Sequence, residues 1–339
     1  MTLIQLASNQ PADRFYAGGE QIRQFRGTAA PGSRVPEDWV GSTTALFGET
    51  ELGLTVLPDG TCLRDAVAAD PARWLGPAHV ARWGADVALL VKLLDAGERL
   101  PVHAHPDSGF AARHLGLRHG KTEAWIALEP ADVRLGFCRD VPLDELRRWV
   151  AEQDVAAMLE AMHTMRVEPG DAVLVPAGLP HAIGEGALVI ELQEPTDLSI
   201  LIEWAGFAID GATLGHLGLG FETALSALDR RGWAAADIEA LRGAHADRTG
   251  DLLPAGAGFF RVERWRGPGT WDAGFAVVVV ISGHGTLRPT KGESTAVAAG
   301  QTWLVDHAAG PVELTGAQVE VIRCRPPVAQ ETAEQGESR

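Results

Sequence analysis

Between residues 166 and 204 the chain reads RVEPGDAVLVPAGLPHAIGEGALVIELQEPTDLSILIEW. Short runs of Val, Leu and Ile recur there, and each is closed within a few residues by glycine or proline. Both residues are costly inside a helix, so this stretch is held to short strands joined by tight turns. The same texture appears in VALLVKLLDA (87–96), LPVHAH (100–105) and EAWIALE (123–129). It returns after PAGAG (254–258) in FFRVERW, FAVVVVISGHGTLRP, GQTWLVD and AQVEVIRC. Short strands punctuated in this way build barrels and sandwiches, so the expected fold is all-β dominated.

Two stretches interrupt the pattern. In PLDELRRWVAEQDVAAMLEAMHTM (142–165), Leu143, Leu146, Trp149 and Val150 recur at helical spacing, as do Val155, Met158, Leu159 and Met162. A second helical block is expected at about 213–243, around Leu225, Leu228, Ile238 and Leu241. The segments GDAVLVPAGLPHAI (170–183) and GQTWLVDHAAGPVEL (300–314) share a Gly-polar-x-x-Leu-Val core, a turn and a strand. They read as a weak internal repeat in which only the first copy carries a histidine, His181. A chain of 339 residues suits one large or two medium domains. The expected division is a metal-binding domain over 1–210 with a helical insertion about 142–165, a helical connecting block over 211–254, a second β domain over 255–326, and a polar, disordered tail over 327–339.

Charge narrows the partners. Lys and Arg number 29 against 45 Asp and Glu, a formal net charge of -16, which argues against nucleic acid and anionic membrane. No apolar run reaches the length of a membrane span. The opening MTLIQLASNQPADRFYAGG lacks the basic and apolar regions of a signal peptide. Cys62, Cys138 and Cys324 sit in no paired motif. A cytoplasmic protein with a small-molecule ligand is the expectation; the oligomeric state is not readable from the sequence.

The chemistry begins at LPVHAHPDSGF (100–110). Side chains two apart on a strand share a face, so His103 and His105 project together. Glu123 lies in the next strand candidate, and His181 follows the rigid turn PAGLPH. Three imidazoles and a carboxylate suit Zn, Mn, Fe or Ni. The competing reading is that His103 and His105 are surface residues. His114, His119 and His284 read as surface histidines.

The segments LLVKLLDAGERLPVHAHPD, HGKTEAWIAL, GDAVLVPAGLPHAIGEG and ELQEPTDLSILIEW, in that order, resemble the type I mannose-6-phosphate isomerases, metal-dependent cupin isomerases of the short bacterial form. The likeness runs from about residue 37 to 210. It implies two cupin (jelly-roll) barrels with helical insertions, the second degenerate, and aldose–ketose isomerisation in a deep barrel mouth. The family's metal-ligand motifs fall on His103, His105, Glu123 and His181, implying one divalent ion, Zn2+ ahead of Mn2+ or Fe2+. Lys121, Glu191 and Asp197 fall on family positions and become the catalytic candidates. Lys92, Leu201 and Trp125 are the candidates for substrate contact, and Lys92, if buried, needs a carboxylate such as Glu191 or Asp197.

Two departures matter. His103 stands where the family has glutamine, which puts the preference for zinc in question. Leu201 stands where the family has an arginine, and a leucine cannot neutralise a phosphate or a developing enediolate. Unless an arginine such as Arg134 or Arg139 reaches in, the expected substrate is a neutral sugar, with Leu201 as part of an apolar wall. The alternatives are mannose-6-phosphate isomerase proper, a non-catalytic sugar-binding metal cupin, and another metal-cupin enzyme such as an oxygenase or epimerase. Proton transfer through a cis-enediol and a hydride shift both remain open.

Overall fold

The computed structural model describes residues 2–28, 32–243 and 249–328; residues 329–339 of the expected tail lie outside these. Antiparallel sheets dominate, as the strand-and-turn texture requires. One five-stranded sheet runs in the order Glu37–Val40, Leu90–Asp95, Leu188–Gln193, Glu123–Ala127, Ala172–Val175. A second runs Ile200–Leu201, His103–Ala104, His181–Ile183, Ala131–Phe137, Met162–Val167. From Leu90 to Leu201 the chain shuttles between the two sheets, returning to the first at Glu123, Ala172 and Leu188. Leu94, Trp125, Val175 and Val189 of the first sheet pack against Val133, Leu135 and Ile183 of the second. The site lies in the space between these sheets.

The C-terminal half repeats the arrangement with a six-stranded and a four-stranded sheet. The run AVVVV explains how the halves meet. Val277 and Val279 face the core shared with Val91, Leu93, Ile190 and Leu192 of the first sheet, whereas Val278 and Val280 face Leu287, Val297 and Leu314. A strand buried on both faces needs no polar alternation, which is why VALLVKLLDA and FAVVVV read as continuous apolar runs. The segments noted as a repeat correspond in path. Ala172–Val175 and His181–Ile183 sit in different sheets of one half, as Thr302–Val305 and Val312–Thr315 do in the other. The N-terminal strand Leu3–Leu6 joins the sheet of the C-terminal half, pairing with Thr302–Val305.

Helix Leu143–Glu152 buries Leu146, Trp149 and Val150, the stripe its spacing predicts. Val155–Glu160 follows, with the Asp154 carboxylate accepting from the Ala157 N–H at 3.2 Å. The expected helix does not continue to Met165. Met162–Val167 is instead a strand paired with Ala131–Phe137, because cross-strand hydrogen bonds outweigh local periodicity. The expected block at 213–243 is also less helical than its leucines suggest. Its helices, such as Phe221–Ala224, Leu225–Ala227 and Ala235–Glu239, are three to five residues long. Gly218 and Gly220, both at positive φ, break it. No helix among the described residues is long and apolar enough to cross a membrane.

Candidate metal centre and its cavity

His103 lies in register opposite His181 on one side and Leu201 on the other. Two turns bring the remaining groups to it. At Gly178, φ is 86° and its N–H donates to the His105 carbonyl at 2.7 Å, which fixes the loop before His181 against the strand end carrying His105. At Gly120, a Cβ would lie 2.5 Å from the Pro106 carbonyl oxygen, so only glycine lets the loop before Lys121 and Glu123 pass this close.

The histidines are buried, and their nearest ligand atoms lie within 4.8 Å of one another. Each Nδ1 faces a backbone carbonyl: Pro101 at 2.8 Å for His103, Leu198 at 2.7 Å for His105, Leu179 at 2.8 Å for His181. A carbonyl only accepts, so each Nδ1 carries the proton and each Nε2 presents a lone pair. Burial, with neighbouring cationic groups, holds His103 well below the usual imidazole range and His105 down to about 3, so both are neutral. Glu123 faces the same point, with Oε2 3.0 Å from His105 Nε2 and Oε1 3.3 Å from His181 Nε2. Burial alone would raise its carboxyl, but the Lys121 ammonium beside it holds it well below the carboxylate range. A carboxylate and lone-pair nitrogens therefore converge with no proton between them. His105 Nε2 and His181 Nε2 are buried without a hydrogen-bond partner. Such a cluster is satisfied by a cation, and nitrogen and carboxylate donors suit a divalent one.

A cavity of about 550 Å3 opens from this cluster. Its polar wall belongs to the first sheet, where Trp39, Lys92, Glu191 and Trp125 form one cross-strand row. Lys92 Nζ lies 3.4 Å from Glu37, 3.5 Å from Asp197 and 3.7 Å from Glu191, with the Trp39 ring beneath it at 4.6 Å. The buried lysine thus has both expected carboxylates and a third. Burial works against its charge, yet these carboxylates raise it above the normal lysine range. Lys121 Nζ bridges Glu123 at 3.1 Å and Glu191 at 3.8 Å. Burial and the charge of Glu123 push Glu191 up to about 8.

Of the remaining sequence candidates, Asp197 and Leu201 line the cavity. Trp125 does not; its indole N–H donates to Glu123 Oε1 at 3.0 Å, and its ring packs edge-on to His181. Arg134 and Arg139 stay away from the cavity, the first donating to the Leu159 carbonyl and the second paired with Glu145. His114 and His284 are exposed, as expected, but His119 is not a free surface residue: it is half-buried and 2.6 Å from Asp86. Among the described residues, only His103, His105 and His181 form a three-residue group able to hold a metal, and the C-terminal half contributes none.

Sequence reasoning missed Arg14, Tyr16 and Glu37, which close the cavity at one end. The signal was weak but present. Glu37 and Asp38 are adjacent carboxylates in the otherwise apolar VPEDWV, and DRFYAGG holds the chain's single tyrosine.

No family model matches the sequence. Among curated proteins, the chain is 32% identical over 183 residues to Probable mannose-6-phosphate isomerase GmuF of Bacillus subtilis, covering 53% of this chain and 55% of that one. It is 38% identical over 112 residues to the mannose-6-phosphate isomerase of Streptococcus mutans, covering 32% and 34%. Both relatives carry the name mannose-6-phosphate isomerase. Its matches span about half of the first relative's length and a third of the second's. The solved mannose 6-phosphate isomerase of Bacillus subtilis superposes with a TM-score of 0.70 at 21% identity, over 96% of this chain and 100% of that one. A mannose 6-phosphate isomerase bound with zinc and yttrium superposes with a TM-score of 0.72 at 16% identity, over 97% and 100%. At such identities the likeness establishes the fold alone, the sheet-rich cupin type of those structures.

Proposed function

We propose that the chain is a metal-dependent aldose–ketose isomerase acting on a neutral sugar. The observation that carries the reading is the convergence of His103, His105, Glu123 and His181 on one point beside the cavity, which His103 and Glu123 line. These residues would hold a single divalent ion, Zn2+ ahead of Mn2+ or Fe2+. When bound, it would polarise the oxygens on the carbons between which the proton moves. The chain's own groups do the rest. Lys121 and Glu191, 3.8 Å apart on the cavity wall, are suited to remove and return the proton. Asp197 and Glu37 hold the Lys92 ammonium in place to donate to sugar hydroxyls.

The preference for a neutral sugar rests on charge. Three cationic side chains, Arg14, Lys92 and Lys121, line the cavity against five carboxylates. All three cations already face carboxylates. With Glu191 protonated near neutral pH, a divalent ion leaves the cavity about one positive charge in excess, less than a phosphate dianion needs. Beside His103, where the family's arginine would stand, the wall is the buried Leu201. Mannose or fructose meets these conditions. The rival is mannose 6-phosphate, which the names of the relatives favour. Proton exchange at C2, followed by NMR in deuterated water on the metal-loaded protein, tests the reaction. Exchange into mannose supports the reading, and no exchange into any aldose or its 6-phosphate would assign the chain to non-catalytic sugar binding.

A further inference from the structure

Arg14 enters the cavity from a part of the chain remote from every metal-ligand motif. Its segment is held from two sides. The Arg14 N–H donates to the Arg34 carbonyl at 3.1 Å, and the Phe15 carbonyl accepts from the Ala208 N–H at 3.1 Å. The guanidinium is aimed by a single oxygen: Nε and Nη2 both donate to Glu37 Oε1, at 3.3 and 3.2 Å. Glu37 is itself fixed by the Tyr16 hydroxyl at 2.6 Å, the Trp39 indole at 2.8 Å and Lys92 at 3.4 Å. Arg14 Nη1 makes no hydrogen bond among the described residues. The side chain is 13% exposed, so it is held in place yet open to the cavity it lines with His103 and Lys121. It is the sole arginine on that wall among the described residues.

Resting on the reading of a neutral sugar substrate, we propose that Arg14 is a substrate-binding residue, donating from Nη1 to a sugar hydroxyl. It supplies from the N-terminal segment the guanidinium that Leu201 removes from the strand beside His103. Glu37 neutralises most of its charge, so the site it makes suits a hydroxyl rather than a phosphate.

The test uses the metal-loaded full chain as wild type, Arg14→Gln and Arg14→Lys. Binding of mannitol, an unreactive neutral polyol, is measured by calorimetry, and KM and kcat are measured for mannose and mannose 6-phosphate. Arg14→Gln is expected to weaken mannitol and raise KM for mannose about ten-fold or more, with kcat changed far less, metal stoichiometry held and the fold kept at a lower Tm, because Glu37 loses a partner. Arg14→Lys should recover part of the affinity. Unchanged mannitol affinity, or a wild type that binds none, overturns the proposal. So does loss of metal or of folding in both variants, which would make Arg14 structural. A loss confined to mannose 6-phosphate also overturns it, by making Arg14 a phosphate anchor. Arg14-dependent mannitol binding in a protein that turns over no sugar upholds the residue's role and sinks the isomerase reading instead.

Discussion

Replacing Lys92 by methionine removes the one cation that faces Glu37, Asp197 and Glu191 together. The Lys92 side chain is 3% exposed, and its partners are 4%, 11% and 3% exposed, so water reaches them only from the cavity side and replaces the ammonium poorly. Losing one partner of a buried ion pair typically costs about 3–5 kcal/mol, because the charge left behind stays desolvated. Methionine keeps the stem volume but forfeits the cation over the Trp39 ring, which is 4.6 Å away, and this adds to the cost. Arg14 still faces Glu37 and Lys121 still faces Glu191, which limits it. The expected loss is about 3 kcal/mol at pH 7, or roughly 1 M in urea midpoint for a slope of about 3 kcal/mol/M. The control is the Arg139–Glu145 pair, where the side chains are 49% and 27% exposed. Arg139→Met should cost no more than about 1 kcal/mol. Urea unfolding of the three proteins decides the matter. A Lys92→Met loss no larger than that of Arg139→Met would refute the argument that this cluster is dry and depends on its lysine.

Three further outcomes are expected. His105→Ala and His181→Ala should each reduce bound divalent metal from one equivalent to near zero by elemental analysis, with the far-UV circular dichroism of the fold retained. Burial works against the charge of His119, yet Asp86 and Glu194 raise it from 6.5 to about 9, so this cluster's stabilisation is complete below about pH 6.5 and lost as pH rises through 9; the unfolding free energy from urea titrations should fall over that window by about 1–2 kcal/mol after solvent screening, and His119→Gln should flatten the change. Leu201→Arg, at a position opposite His103, should shift kcat/KM toward mannose 6-phosphate relative to mannose, by about ten-fold if the guanidinium reaches the phosphate.

The site was more legible than the path of the chain around it. Alternation on a strand is a local rule, so His103 and His105 could be set on one face from their spacing alone, and a lysine inside LLVKLL had to find carboxylates. The pairing that brings Glu37 to Lys92, through Trp39 in register with Lys92, is set by sheet order and leaves no mark in the residues themselves. Arg14 was hidden for the same reason: nothing in DRFYAGG says that this loop closes over a cavity whose metal-ligand motifs begin at His103. At Met162 two local patterns competed, the helical spacing from Val155 and the alternation of MHTMRV, and partner strand Ala131–Phe137 decided between them. The surface reading of His119 failed because Asp86, its partner, is remote in sequence.

The central proposal is that this cavity, with its candidate metal site, takes a neutral substrate, because its cations already face carboxylates and Leu201 stands beside His103. The most direct test is kcat/KM for mannose and for mannose 6-phosphate, measured side by side on the metal-loaded wild type. The account predicts a higher value for mannose; a clear preference for the phosphate would contradict it.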